Sequence, residues 1–332
     1  MAERNPNKAR RIPNRRLIQL YSALLHNANL VGFTKGRIYT GSAKNVCAPG
    51  LNCYSCPGAV ASCPLGALQN ALAASRHTAP WYVLGIVMLL GLIAGRTICG
   101  WLCPMGLLQE LLHAIPTPKI RKGRVTRALS WLKYAILAVF AAAIPLWYGL
   151  RQGLQVPAFC KYICPAGTLE GAVGLLSNPA NEGLFSMLGL LFTRKVVVML
   201  AVFLACVFFY RAFCRFLCPL GAIYGLFNRL ALIGVRVDED RCTRCGACVQ
   251  RCGMDVRRVG DRECIHCAKC MDDCAVGAIS VKCGKATLKA PAMSGAAPSP
   301  AAHRSRRARI AWIAALAVLA GALVWLNFVR PS

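Results

Sequence analysis

The chain alternates between long apolar runs and short blocks rich in Lys, Arg, Cys and Gly. Apolar stretches at about 80–96, 130–149 and 195–213 each approach the roughly 20 residues a helix needs to cross a bilayer. Another, Ile310 to Val329, follows Arg304, Arg306, Arg307 and Arg309. The run 17–33 is interrupted by His26, Asn27 and Asn29, and no small-residue cleavage site follows it, so it reads as an uncleaved anchor. Residues 184–193 are too few to span and read as a re-entrant or interfacial piece. The segment 284–309 is rich in Ala, Pro and Ser, which predicts a flexible linker. The pattern predicts a membrane all-α domain over 1–232 that, counted with a C-terminal helix, gives about five transmembrane helices. It continues into a small α+β module at 233–283, the linker 284–309 and a C-terminal transmembrane helix at 310–329.

Composition supports that division. Mean hydropathy is +0.47 over 332 residues, high for a soluble protein. Lys and Arg number 40 against 12 Asp and Glu, a formal charge of +28. The cations sit in blocks between apolar runs and no recognition motif accompanies them, so membrane topology is the better reading and nucleic acid is not an expected partner. Lys and Arg number six before the first run, then four at 34–79, five at 97–128, two at 150–182 and seventeen at 214–309. Five spans with a cytoplasmic N-terminus make cation-rich and cation-poor regions alternate. The expected location is the bacterial inner membrane, multi-pass, with the 233–283 module in the cytoplasm.

Twenty cysteines carry the chemistry. Cys242-x2-Cys245-x2-Cys248-x3-Cys252 is followed by Cys264-x2-Cys267-x2-Cys270-x3-Cys274, the bacterial ferredoxin spacing for two cubane clusters. The fourth cysteine of each run crosses over. One [4Fe–4S] cluster is therefore assigned to Cys242, Cys245, Cys248 and Cys274, the other to Cys264, Cys267, Cys270 and Cys252. Gly253 and Ala275 stand where proline usually follows. Zinc also takes four thiolates, but the doubled rhythm of eight favours iron–sulfur chemistry.

A second pattern repeats Cys, a spacer and Cys-Pro-x-Gly. It occurs as Cys99-x3-Cys103, Cys160-x3-Cys164 and Cys214-x3-Cys218, and as the longer Cys56-x6-Cys63. Proline suits the first helical turn, and a helix N-terminus favours an anion. Topology puts Cys99, Cys103, Cys214 and Cys218 at the inner membrane face, enough for a third [4Fe–4S] cluster. Cys160 and Cys164 fall on the outer side with Cys47, Cys53, Cys56 and Cys63. A fourth cluster there would take Cys160 and Cys164 with two of Cys53, Cys56 and Cys63, the repeat favouring Cys56 and Cys63; disulfides are the alternative. The arrangement suggests an inverted repeat. Cys206 and Cys283 read as apolar filler and a spare thiol. The five histidines show no paired spacing, so no haem is assigned.

Cys99-Gly-Trp-Leu-Cys-Pro, Cys214-Arg-Phe-Leu-Cys-Pro-Leu-Gly and the two ferredoxin runs resemble the NapH, NosR and FixG/CcoG group of membrane polyferredoxins over roughly residues 80–283. The resemblance implies electron transfer between cytoplasmic ferredoxin clusters and quinone or an extracytoplasmic redox partner protein. A quinol dehydrogenase subunit and a redox-sensing assembly or regulatory protein are the alternatives. No residue is expected to act as an acid or base, and the terminal donor and acceptor stay open.

Overall fold

The computed structural model describes residues 13–74, 81–120, 122–284 and 286–289. Most of the basic N-terminal block, nearly all of the 284–309 linker and the 310–329 helix lie outside the described residues.

Among the described residues, two helices are long and apolar enough to cross a membrane, Arg124–Gln152 and Leu190–Phe208. Neither is a buried core helix, since 28% and 17% of their most apolar windows are covered. Val197, Leu200 and Leu204 stay 57–61% exposed along one side of the second. In water, leaving such side chains uncovered forfeits roughly 1.5–3 kcal/mol apiece. The expected 80–96 span is a 14-residue helix, Trp81–Ala94, preceded by residues not described.

The 17–33 run does not form one helix. Pro13–His26 is helical, the backbone then turns, and a five-residue helix follows at Val31–Lys35. Arg15, Gln19 and Ser22, spaced on one face, are buried, while Leu17, Leu20 and Leu24 point outward. A helix with its polar stripe inward and apolar stripe outward inverts the usual soluble pattern.

Short helices begin directly after three of the Cys-Pro steps. Cys63, Cys103 and Cys218 occupy the N-cap, with proline in the first turn, of Pro64–Ala73, Pro104–His113 and Pro219–Phe227. The missing proline N–H costs nothing there, because first-turn donors have no intrahelical partner.

The cysteine-rich module is closed by an antiparallel sheet of order β1-β2-β3, with β1 at Ile233–Val237, β2 at Ile279–Cys283 and β3 at Ala286–Lys289. Register runs from Ile233↔Cys283 to Val237↔Ile279, so both cysteine runs lie between paired strands. β3 falls inside the segment expected to be linker; backbone pairing with β2 outweighs its loop-like composition.

Buried charge fastens this module to the helices. Glu263 pairs with Arg96 and Lys133, and Asp255 with Arg215, all nearly inaccessible to solvent. Thr126 Oγ1 donates to Asp255 at 3.0 Å, and Trp101 Nε1 donates to the His266 carbonyl at 2.9 Å. Gly100 is required at its position, because a Cβ there would collide with the Ile265 carbonyl. Glu263→Gln should leave two buried cations without a counter-charge and cost about 3–5 kcal/mol. The check is thermal unfolding of the detergent-solubilised protein, and an unchanged melting temperature would show that the pairing contributes nothing.

Candidate functional site

Four cavities are each lined by four or more cysteines. Cys242, Cys245, Cys248 and Cys274 line the first. Cys252, Cys264, Cys267 and Cys270 line the second, which also reaches Cys248. The two loops are built alike: Arg244 (φ 54°) and Gly246 (φ 75°) in one match His266 (φ 48°) and Ala268 (φ 62°) in the other. Left-handed residues turn successive main-chain N–H groups toward one side and form a nest for an anion. Three of these four carry a side chain, so strain recurs at equivalent places, as at functional sites. His266 anchors its loop. Its Nδ1 accepts from the Val235 N–H at 2.8 Å, leaving Nε2 to donate to Asn228 Oδ1 at 3.0 Å. Burial drives its pKa down to about 4, so the ring is neutral.

Cys99, Cys103, Cys214 and Cys218 line the third cavity, the tightest of the four. All four are buried. The Gly221 N–H donates to Cys218 Sγ at 3.4 Å, while the equivalent Gly106 N–H donates to the Cys103 carbonyl at 3.1 Å. At Gly106 the absence of a side chain also lets the helix pack on the preceding turn, since a Cβ there would sit 3.0 Å from the Cys99 carbonyl. Two arginines, each three residues ahead of a first cysteine, cross the site: Arg96 Nη2 donates to the Cys214 carbonyl at 3.2 Å and Arg211 Nη1 to that of Cys99 at 2.5 Å. Glu110 pairs with both Arg211 and Arg15. Burial pushes its pKa up, but the guanidiniums outweigh it and hold the carboxyl at about 2.

Cys53, Cys63, Cys160 and Cys164 line the fourth cavity, with Lys195 at its wall. The Gly167 N–H donates to Cys164 Sγ at 3.4 Å. Cys53 thus occupies the place that the repeat suggested for Cys56, which is buried but does not line this cavity. The reason is Glu170, whose Oε2 accepts the Cys53 N–H at 2.6 Å and holds that residue against the site. Burial lifts the Glu170 carboxyl to about 7. All twenty cysteines are free of disulfides.

The loop before Cys53 enters deeper than hydropathy suggested. Leu51 lines both the third and fourth cavities, a Cβ at Gly50 would lie 2.9 Å from Cys103 Cα, and Tyr224 Oη donates to the Pro49 carbonyl at 2.9 Å. Irregular backbone at such depth is tolerated where protein covers it.

One set of residues escaped the sequence reading. The sixth position after the second cysteine of each repeat is Gln69, Gln109, Glu170 or Tyr224, and each side chain reaches across to a distant segment of its site. Aligning the four repeats beyond their glycine shows a polar residue there every time. Cys206, expected as filler, is fully buried with its Sγ 3.6 Å from Gln109 Oε1, and Cys283 lies in β2.

These surroundings suit iron–sulfur clusters. Among the described residues no three His, Cys, Asp or Glu side chains group tightly enough for a single metal ion. Tetrahedral zinc would draw its thiolates to about 3.8 Å apart, given Zn–S bonds of about 2.3 Å. Four cysteines spread round a cavity, with main-chain donors aimed at them, match a larger anionic group.

Comparison with known proteins agrees. A 4Fe-4S binding domain matches residues 79–123, 134–179 and 184–236, and a second 4Fe-4S binding domain matches 235–258. An uncharacterized protein of Methanocaldococcus jannaschii is 28% identical over 208 residues, covering 59% of this chain and 76% of its own. The methylamine utilization ferredoxin-type protein MauN of Methylorubrum extorquens is 28% identical over 172 residues, half of each chain. The regulatory protein NosR of Pseudomonas aeruginosa is 30% identical over 174 residues, 48% of this chain and 21% of NosR. No solved structure matches. Cysteine-ringed cavities and these matches define an iron–sulfur electron-transfer protein with [4Fe–4S] clusters. Within that class its homologues include MauN and NosR, and it resembles the NosR/NapH-like polyferredoxins.

Proposed function

We propose that the chain is a membrane-embedded electron conduit with four cysteine sites in series. A [4Fe–4S] cluster, when bound, takes up and releases single electrons. Cys242, Cys245, Cys248 and Cys274 hold the first, and Cys252, Cys264, Cys267 and Cys270 the second. Cys99, Cys103, Cys214 and Cys218 hold the third at the inner face, and Cys53, Cys63, Cys160 and Cys164 the fourth at the outer face.

The observation that carries this reading is the sharing of walls between neighbours. Cys248 and Asp273 line both module cavities. Ile265, in the second, abuts Gly100 beside Cys99, and Leu51 joins the third cavity to the fourth. The apolar helices and the cation count support an inverted repeat in a bacterial inner membrane, with the N-terminus and module in the cytoplasm. At the free end Cys245 is exposed within a wall holding Arg229, Arg236, Arg244, Arg257 and Arg258 against Glu239 and Asp273. Such a surface suits an acidic redox partner. An apolar groove lined by Val198, Ala201, Val202, Phe213 and Phe216 lies next to Cys214 and favours quinone as the other partner, as in a quinol dehydrogenase subunit.

The test is anaerobic reconstitution of the full chain with iron and sulfide counts. About sixteen irons are expected, four per cubane; zinc in their place would sink the proposal. Cys245→Ser should damage the first site alone, and Cys283→Ser none.

A further inference from the structure

Gln69 and Gln109 are fully buried and make three similar contacts each, Gln109 adding one from Cys206 Sγ to its Oε1 at 3.6 Å. Gln109 Nε2 donates to the Met105 carbonyl at 3.0 Å and to Cys214 Sγ at 3.0 Å, while its Oε1 accepts the Cys214 N–H at 3.3 Å. Gln69 Nε2 donates to the Leu65 carbonyl at 3.2 Å and to Cys160 Sγ at 3.2 Å, while its Oε1 accepts the Phe159 N–H at 3.0 Å. The main-chain N–H fixes which end of each amide is oxygen, so the NH2 must face sulfur. Each glutamine comes from the first repeat of its site and reaches the first cysteine of the second.

We propose that Gln109 and Gln69 are matched positioning residues, each donating an amide hydrogen to one ligand thiolate and so raising the reduction potential of the site it serves. The inference rests on the reading of these cavities as cluster sites. Hydrogen bonds to ligand sulfur are among the levers that set cluster potentials. A donor favours the state with more negative charge on sulfur, which is the reduced one. In a site shut off from water that favour is weakly screened. The partner positions in the second repeats, Glu170 and Tyr224, instead hold the 49–53 loop, so each site has one sulfur donor of this kind.

The test is a redox titration followed by EPR on the reconstituted full chain. Gln109→Leu is made in the Cys160→Ser, Cys164→Ser background, and Gln69→Leu in the Cys99→Ser, Cys103→Ser background, so each remaining membrane-domain signal is unambiguous. Both variants should lower the midpoint of their own site and leave the two module clusters where they were. Gln109→Glu, which loses the donor and adds an acceptor, should lower it too. Unmoved midpoints with clusters present would overturn the inference and spare the conduit; absence of the third and fourth clusters in the parent would overturn both. If the leucine variants lose their cluster, the parent protein labelled with 15N-glutamine supplies the answer by pulsed EPR. Hyperfine coupling from the amide nitrogen is then the expected result, and its absence counts against the proposal.

Discussion

Replacing Cys160 and Cys164 together by serine is expected to remove about four irons per chain, as is replacing Cys99 and Cys103. Each pair contributes half the cysteines of its cavity. Six of the eight thiols are buried and Cys53 and Cys160 half-buried; burial, with neighbouring charges adding to it, pushes Cys53 and Cys160 up to about 12 as free thiols. A buried thiol with that affinity for its proton is a poor ligand unless iron displaces the proton, so two cysteines cannot hold a cubane by themselves. The main-chain donors to Cys164 and Cys218 then aim at nothing charged. Iron and sulfide analysis with EPR separates the outcomes. Loss of four irons in each double variant, additive when combined, supports two independent membrane-domain sites. No loss in the outer variant would leave a three-site chain ending at the inner face.

The ferredoxin runs were the most legible part of the sequence, because two-residue spacers force tight loops and the crossing fourth cysteine follows from their length. The paired Cys-x3-Cys turns were legible for a similar reason: proline and glycine mark the helix start that puts the second cysteine at an N-cap. The choice of Cys53 over Cys56 was not. It depends on a carboxylate 117 residues away, and no local spacing encodes that. The mean hydropathy of the 17–33 run also conceals a polar stripe, formed by Gln19 and Ser22 with Arg15 just ahead of the run. Hydropathy could not see the approach of Pro49, Gly50 and Leu51 to the third cavity, since composition records how apolar a loop is and not where it is packed. β3 was hidden likewise, in a segment whose Ala and Pro content reads as linker.

Reporters fused after residue 182 and after residue 284 should fall on opposite sides of the membrane, the second in the cytoplasm. The helix Leu190–Phe208 connects the two cysteine sites directly. Lys195 lines the fourth cavity, while Cys206 packs against Gln109 beside the third. Eleven residues separate them, about 16 Å at 1.5 Å per residue. Its exposed side is apolar throughout this interval, with Val197, Leu200 and Leu204 outward. A helix of that kind can lie across a bilayer or along its surface, and the flanking charge decides between them. The 150–182 loop carries two Lys and Arg against seventeen at 214–309, a bias that retains the second region in the cytoplasm. A third reporter after residue 332, beyond the 310–329 segment, should join the first outside. If the reporters after 182 and 284 share a side, Leu190–Phe208 does not cross. The four sites would then carry electrons along one membrane face, and any acceptor would be quinone within that leaflet rather than a partner on the far side.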